Sequence, residues 1–159
     1  MKRVRMWIAV ALVLGVVAIV LGVDAWQRSQ AKGLLPGAVP VYLNGRLLAS
    51  FVPADLERLE KVSFTDAEEG KTQDGWLLVD ILSLYLEGSQ LQPETTVLVG
   101  SSSREKSVRL TWEEVRTREN MVVFDLSGRS TLKLVSKLEQ LDTRDEWVQD
   151  VDKIEIGVR

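Results

Sequence analysis

Residues 39–51 read VPVYLNGRLLASF, two apolar, strand-forming runs separated by Asn44-Gly45. Asn-Gly is the dipeptide that best accepts the two positive φ angles of a type I′ turn, whose twist suits a pair of antiparallel strands. Val39 to Leu43 and Arg46 to Phe51 are therefore expected to form a hairpin, with the domain beginning near Ala38. Downstream, Pro53 can open a short helix with Leu56 and Leu59 facing inward and Asp55 and Glu57 near its positive end. Lys61 to Asp66 places Val62 and Phe64 on one face, as a strand would. Glu68-Glu69-Gly70 then turns the chain, and polar residues continue the loop to Gly75.

From Leu77 to Leu86, Leu78, Ile81, Leu82, Tyr85 and Leu86 recur at helical spacing, and Gly88 offers a stop. Thr95 to Val99 and Ser107 to Leu110 are strand-forming runs around a Gly-Ser-Ser-Ser-Arg-Glu-Lys turn. Thr111-x-x-Glu114 is a capping box. Met121 to Leu126, Leu132 to Val135 and Val151 to Val158 complete the strands. Many strands with single short helices between them predict an α+β domain around a mixed β-sheet.

Upstream, residues 6–23 read MWIAVALVLGVVAIVLGV, an uncharged run of 18 residues. At a helical rise the steps from Trp7 to Trp26 cover roughly 28 Å, close to the hydrocarbon thickness of a bilayer. Both indoles would sit at interfaces. Lys2, Arg3 and Arg5 precede the run and Asp24 follows it, which predicts an N-terminus in the cytoplasm. The expected organisation is a cytoplasmic tail (1–5), a transmembrane anchor (6–26), a linker (27–37) and an extracytoplasmic domain (38–159). The alternative is a signal peptide cleaved after Ala25; either outcome exports the same domain.

From Gly33 onward, 15 Lys and Arg face 22 Asp and Glu. An acidic domain of this kind is a poor binder of phosphate backbones, so nucleic acid is not expected as a partner. Neither cysteine nor histidine occurs in the 159 residues, which removes disulfides, thiolate and imidazole ligands and the usual neutral-pH proton shuttle. Ser103-x-x-Lys106 and Ser130-x-x-Lys133 match a serine-lysine nucleophile pattern, but both fall on turns or strands instead of opening a helix. Asp142, Asp145, Glu146, Asp150 and Asp152 could offer oxygen ligands, yet their spacing fits no known calcium loop, and no metal is expected. Glu113 and Glu114 are read as charges at a helix start. Ser101, Ser102, Ser103, Arg104 and Arg109 form a candidate anion-binding turn through hydroxyl, amide and guanidinium donors. Trp76, Trp112 and Trp147 are expected to pack.

Val41-Tyr-Leu-Asn-Gly-Arg46, Asp74-Gly-Trp-Leu-Leu-Val-Asp-Ile-Leu82, Val97-Leu-Val-Gly-Ser101, Leu132-Lys-Leu-Val135 and Trp147-Val-Gln-Asp-Val-Asp-Lys-Ile-Glu-Ile156 follow one another in an order. That order resembles the sulfite-oxidase-like molybdopterin-binding domain family, over about residues 39 to 157. The resemblance implies a mixed α+β fold and, in catalytic members, a molybdenum-pterin cofactor held by a cysteine sulfur. With no cysteine, this chain would be a degenerate member, and no cofactor is expected. The leading expectation is a noncatalytic interaction or assembly subunit of a membrane complex. The alternatives are a molybdopterin-dependent oxidoreductase and an extracytoplasmic binder of a small anion.

Overall fold

The positive φ angles of Asn44 and Gly45, 51° and 76°, close a two-residue turn between β1 (Val39–Leu43) and β2 (Arg46–Phe51). Leu43 pairs with Arg46, and a register shift between Val41 and Tyr42 marks a bulge. The computed structural model describes residues 34–86, 91–126 and 128–157. Those from Leu35 onward belong to one compact unit. The expected anchor, with Trp7 and Trp26, and most of the linker lie outside the described residues. Among the described residues, no helix is long and apolar enough to cross a membrane.

After β2 the chain makes a 3-10 turn at Pro53–Arg58 that buries Leu56, its entry tied by the Val52 amide donating to Asp55 Oδ2 at 2.9 Å. There follow β3 (Val62–Thr65), β4 (Thr72–Leu77), α1 (Leu78–Ser83), β5 (Thr96–Ser101), β6 (Lys106–Thr111), α2 (Trp112–Arg116), β7 (Val123–Leu126), β8 (Leu132–Val135) and β9 (Lys153–Gly157). The capping box at α2 is present: Thr111 Oγ1 accepts from the Glu114 amide, and the Thr111 amide donates to Glu114 Oε2 at 2.7 Å.

Strands and short helices are thus combined in an α+β arrangement, but the strands form two sheets where the sequence suggested one. The mixed sheet has the order β2-β1-β9-β5-β6, with β1 and β9 parallel and its other neighbours antiparallel. A second, wholly antiparallel sheet has the order β3-β4-β7-β8. The polar stretch expected to be a loop up to Gly75 is the central strand β4. Its face toward the outside of the second sheet carries Gln73 and Gly75 before Leu77, so apolar alternation does not announce it.

One core joins both sheets. Val41, Val97, Val99 and Ile154 of the first meet Trp76, Phe124 and Leu134 of the second, together with Leu78, Ile81 and Leu82 of α1 and Trp112 of α2. Each fully buried leucine or isoleucine contributes about 1.5–3 kcal/mol. The helix expected over 77–86 is shorter because the amides of Leu84 and Tyr85 bond back three residues, to Ile81 and Leu82, tightening the last turn. Gly88 lies outside the described residues. The second sheet is covered on its other face too, where Phe64, Leu77, Val123, Val135 and Trp147 form a smaller cluster. That face carries the candidate site.

Candidate functional site

Alternation along β4, β7 and β8 puts Gln73, Asp125 and Lys133 on the same face as Leu77, Val123 and Val135. The three polar side chains find one another. Lys133 Nζ lies 2.8 Å from Asp125 Oδ2 and donates to Gln73 Oε1 at 3.0 Å, while Gln73 Nε2 donates to Asp66 Oδ2 at 2.8 Å. Burying such groups costs free energy unless each is paired, and here the chain is closed from Asp66 to Asp125. Lys133 Nζ also stands 4.5 Å above the Trp147 ring. The Glu69 amide holds the Asp66 carboxyl below its ordinary value; burial opposes this, and the Gln73 side chain and the Lys71 and Gly70 amides reinforce it.

Two loops wall this face. Residues 66–71 follow β3, residues 142–149 precede β9, and the Arg144 amide donates to Glu68 Oε2 at 2.7 Å. Val148 exchanges backbone hydrogen bonds with Leu134, which draws Trp147 against β8. Two open depressions flank the 142–149 loop, one of about 270 Å³ between it and residues 66–71 and one of about 240 Å³ between it and the tip joining β5 and β6. Arg144, Trp147 and Gln149 line both; Lys71 and Lys133 line the first, Arg104 and Lys106 the second. Lys71 Nζ is 2.7 Å and Arg144 Nη1 3.8 Å from the carboxylate of Glu69, so one acid serves two bases.

The five residues of the expected anion-binding turn are not brought together. Ser101 is buried on the inner face of β5, whereas Arg109 is exposed on the opposite face of β6, across from Leu98. The Ser102 amide donates to Asp152 Oδ2 at 2.9 Å. Ser101 and Ser103 hydroxyls lie 3.3 Å apart. Arg104 Nε donates to Asp150 Oδ2 at 2.6 Å. The Thr131 hydroxyl and then the Arg104 guanidinium hold the Asp150 carboxyl below its ordinary value. Asp150 and Asp152 thus take up donors that an external anion would need. Of the five residues, Arg104 alone reaches the groove beside Trp147.

Among the described residues, no cluster of acidic side chains is arranged to hold a metal ion. In both serine-lysine patterns the lysine bonds elsewhere: Lys106 donates to the Asp145 carbonyl, and Lys133 pairs with Asp125 and donates to Gln73. The donor set does not fit cysteine-ligated molybdenum, since the chain contains no cysteine. Trp76, Trp112 and Trp147 are all buried, in keeping with packing roles. Sequence reading gave no site role to Lys71, Gln73 or Arg144, whose separation along the chain hides their convergence on one depression. The one available signal was local, a cation following the acidic Glu68-Glu69 pair. No protein-family model and no curated protein sequence matches this chain.

Proposed function

We propose that this chain is a membrane-tethered, extracytoplasmic interaction module, a noncatalytic accessory or assembly subunit of a membrane complex. The apolar run at 6–23 is the anchor, and the acidic domain works on the side opposite the cytoplasm. One observation carries the reading. The polar side chains on the outer face of the second sheet close on one another, from Asp66 through Gln73 and Lys133 to Asp125, beside depressions that stay open. At about 240 and 270 Å³ these lie below the roughly 300–1,000 Å³ of pockets that enclose small ligands. Such a surface suits recognition of another macromolecule better than sequestering a substrate from water.

A tether of about ten residues would hold the domain within a few tens of ångströms of the bilayer and raise its effective concentration toward membrane partners. Purification of the full-length protein from native membranes in mild detergent, with mass spectrometry of what accompanies it, tests the proposal. A membrane protein recovered in comparable amount is expected. A protein recovered alone with stoichiometric molybdenum and pterin would overturn it. Added protease should digest the carboxyl-terminal domain once the outer envelope is opened, and full protection would remove the extracytoplasmic assignment.

A further inference from the structure

We infer that the groove floored by Trp147 takes an acidic peptide segment of a partner protein. This names the partner chemistry for the interaction module proposed above and rests on that reading for its biological role. The first observation is a local reversal of charge. Lys71, Arg104, Lys106, Lys133 and Arg144 line the two neighbouring depressions, where Glu69 and Asp145 are the acidic lining residues and Asp125 and Asp150 pair with Lys133 and Arg104 from outside the lining. The domain as a whole is acidic on balance. A partner with carboxylates is therefore repelled by the domain's net charge and drawn to this strip, which supplies orientation as well as attraction.

The internal carboxylates leave part of that charge uncompensated. Glu69 is shared between Lys71 and Arg144, and Asp150 lies near both Arg104 and Arg129. The Lys106 ammonium faces the Asp145 main-chain carbonyl. Arg104, Lys71 and Lys133 are held closely, at 2.6, 2.7 and 2.8 Å from Asp150, Glu69 and Asp125, so Arg144, 3.8 Å from Glu69, and Lys106, on a main-chain carbonyl, are the cations most open to an incoming carboxylate. The second observation is the distribution of the cations. Arg104 and Lys106 stand in one depression, Lys71 and Lys133 in the other, and Arg144 spans both. A compact anion is best held by donors converging on one point. An extended segment carrying several carboxylates can engage both depressions in turn, with charge-assisted bonds to Arg144 midway. Glu69 then occupies a position that an incoming carboxylate would take.

The test is fluorescence anisotropy with the full-length protein in mild detergent and a fluorescein-labelled hexaglutamate peptide, with inorganic pyrophosphate as competitor. Saturable binding is expected that weakens at least ten-fold between 50 and 300 mM salt, roughly as screening of exposed charges predicts. Arg144→Glu combined with Lys106→Glu should weaken it at least ten-fold, while Glu69→Gln should tighten it about two- to five-fold, both with unchanged circular dichroism. Arg109→Glu, on the outer face of β6, should change it less than two-fold. No binding, equal binding by the double variant, or pyrophosphate binding as tightly as the peptide would overturn the inference. Peptide binding without any copurifying membrane protein would remove the complex-subunit reading and leave this site standing.

Discussion

Two hairpins, β3/β4 and β5/β6, have similar lengths and the same antiparallel pairing, yet only the second is plain in the sequence. In β5, Val97, Val99 and Ser101 are buried and alternate with partly exposed positions. In β4 the corresponding slots hold Gln73 and Gly75. Gln73 is acceptable there because Asp66 and Lys133 satisfy its amide, and Gly75 because nothing larger fits. A strand can thus be specified by partners far along the chain, with no apolar period of its own.

The two strands can be set against each other at their glycines, where the largest difference is expected. A Cβ on Gly75 would stand 2.1 Å from the Phe124 carbonyl oxygen, whereas one on Gly100 would meet the Ser107 Cβ at 3.7 Å. Gly75→Ala should cost about 3 kcal/mol or more in urea unfolding, and Gly100→Ala should be neutral or stabilising by roughly 0.5–1 kcal/mol. Equal effects would erase the contrast. Next, Lys133→Met strips Asp125 and Gln73 of their shared donor and should cost about 1–3 kcal/mol. Lys106→Met, at the start of β6, should stay within about 0.5 kcal/mol. Thr111→Ala, which opens the box between β6 and α2, is expected to cost about 1 kcal/mol.

Smallest is the acid response, which samples both regions. Asp66 beside β4 and Asp150 behind the β5/β6 tip have carboxyls held below their ordinary values. Burial pushes Glu114 up, but the Thr111 amide, Gln140 and the Thr111 hydroxyl outweigh it. A carboxyl with a lower value in the folded state stabilises above its unfolded value, near 3.9 for Asp and 4.3 for Glu, and loses that contribution as pH falls through the folded one. The thermal midpoint should therefore hold between pH 7 and 5 and decline below about pH 4. Asp150→Asn should make the decline shallower; an unchanged slope would show that Asp150 contributes nothing to it.

Much of the fold was legible because it is local. Asn44-Gly45 needs only its own φ angles, and Thr111 needs only Glu114 three residues on. Leu78, Ile81 and Leu82 share a face through helix geometry alone. The anion-binding expectation at Ser101 to Arg109 failed to converge for an equally physical reason. Strand alternation sends Ser101 and Arg109 to opposite faces, and Asp150 and Asp152, some fifty positions later, occupy the donors at the tip.

Residue order by itself determined the acidic balance, the lack of sulfur and imidazole, the apolar run at 6–23, and each turn or cap whose partners lie within a few positions. Tertiary structure alone decided that the strands divide into two sheets, that Gln73 belongs in a strand, and that Arg144 lines one depression with Lys71 and another with Lys106. Backbone preferences act over a few residues. Pairing between strands and compensation of charge act between segments that only folding makes neighbours.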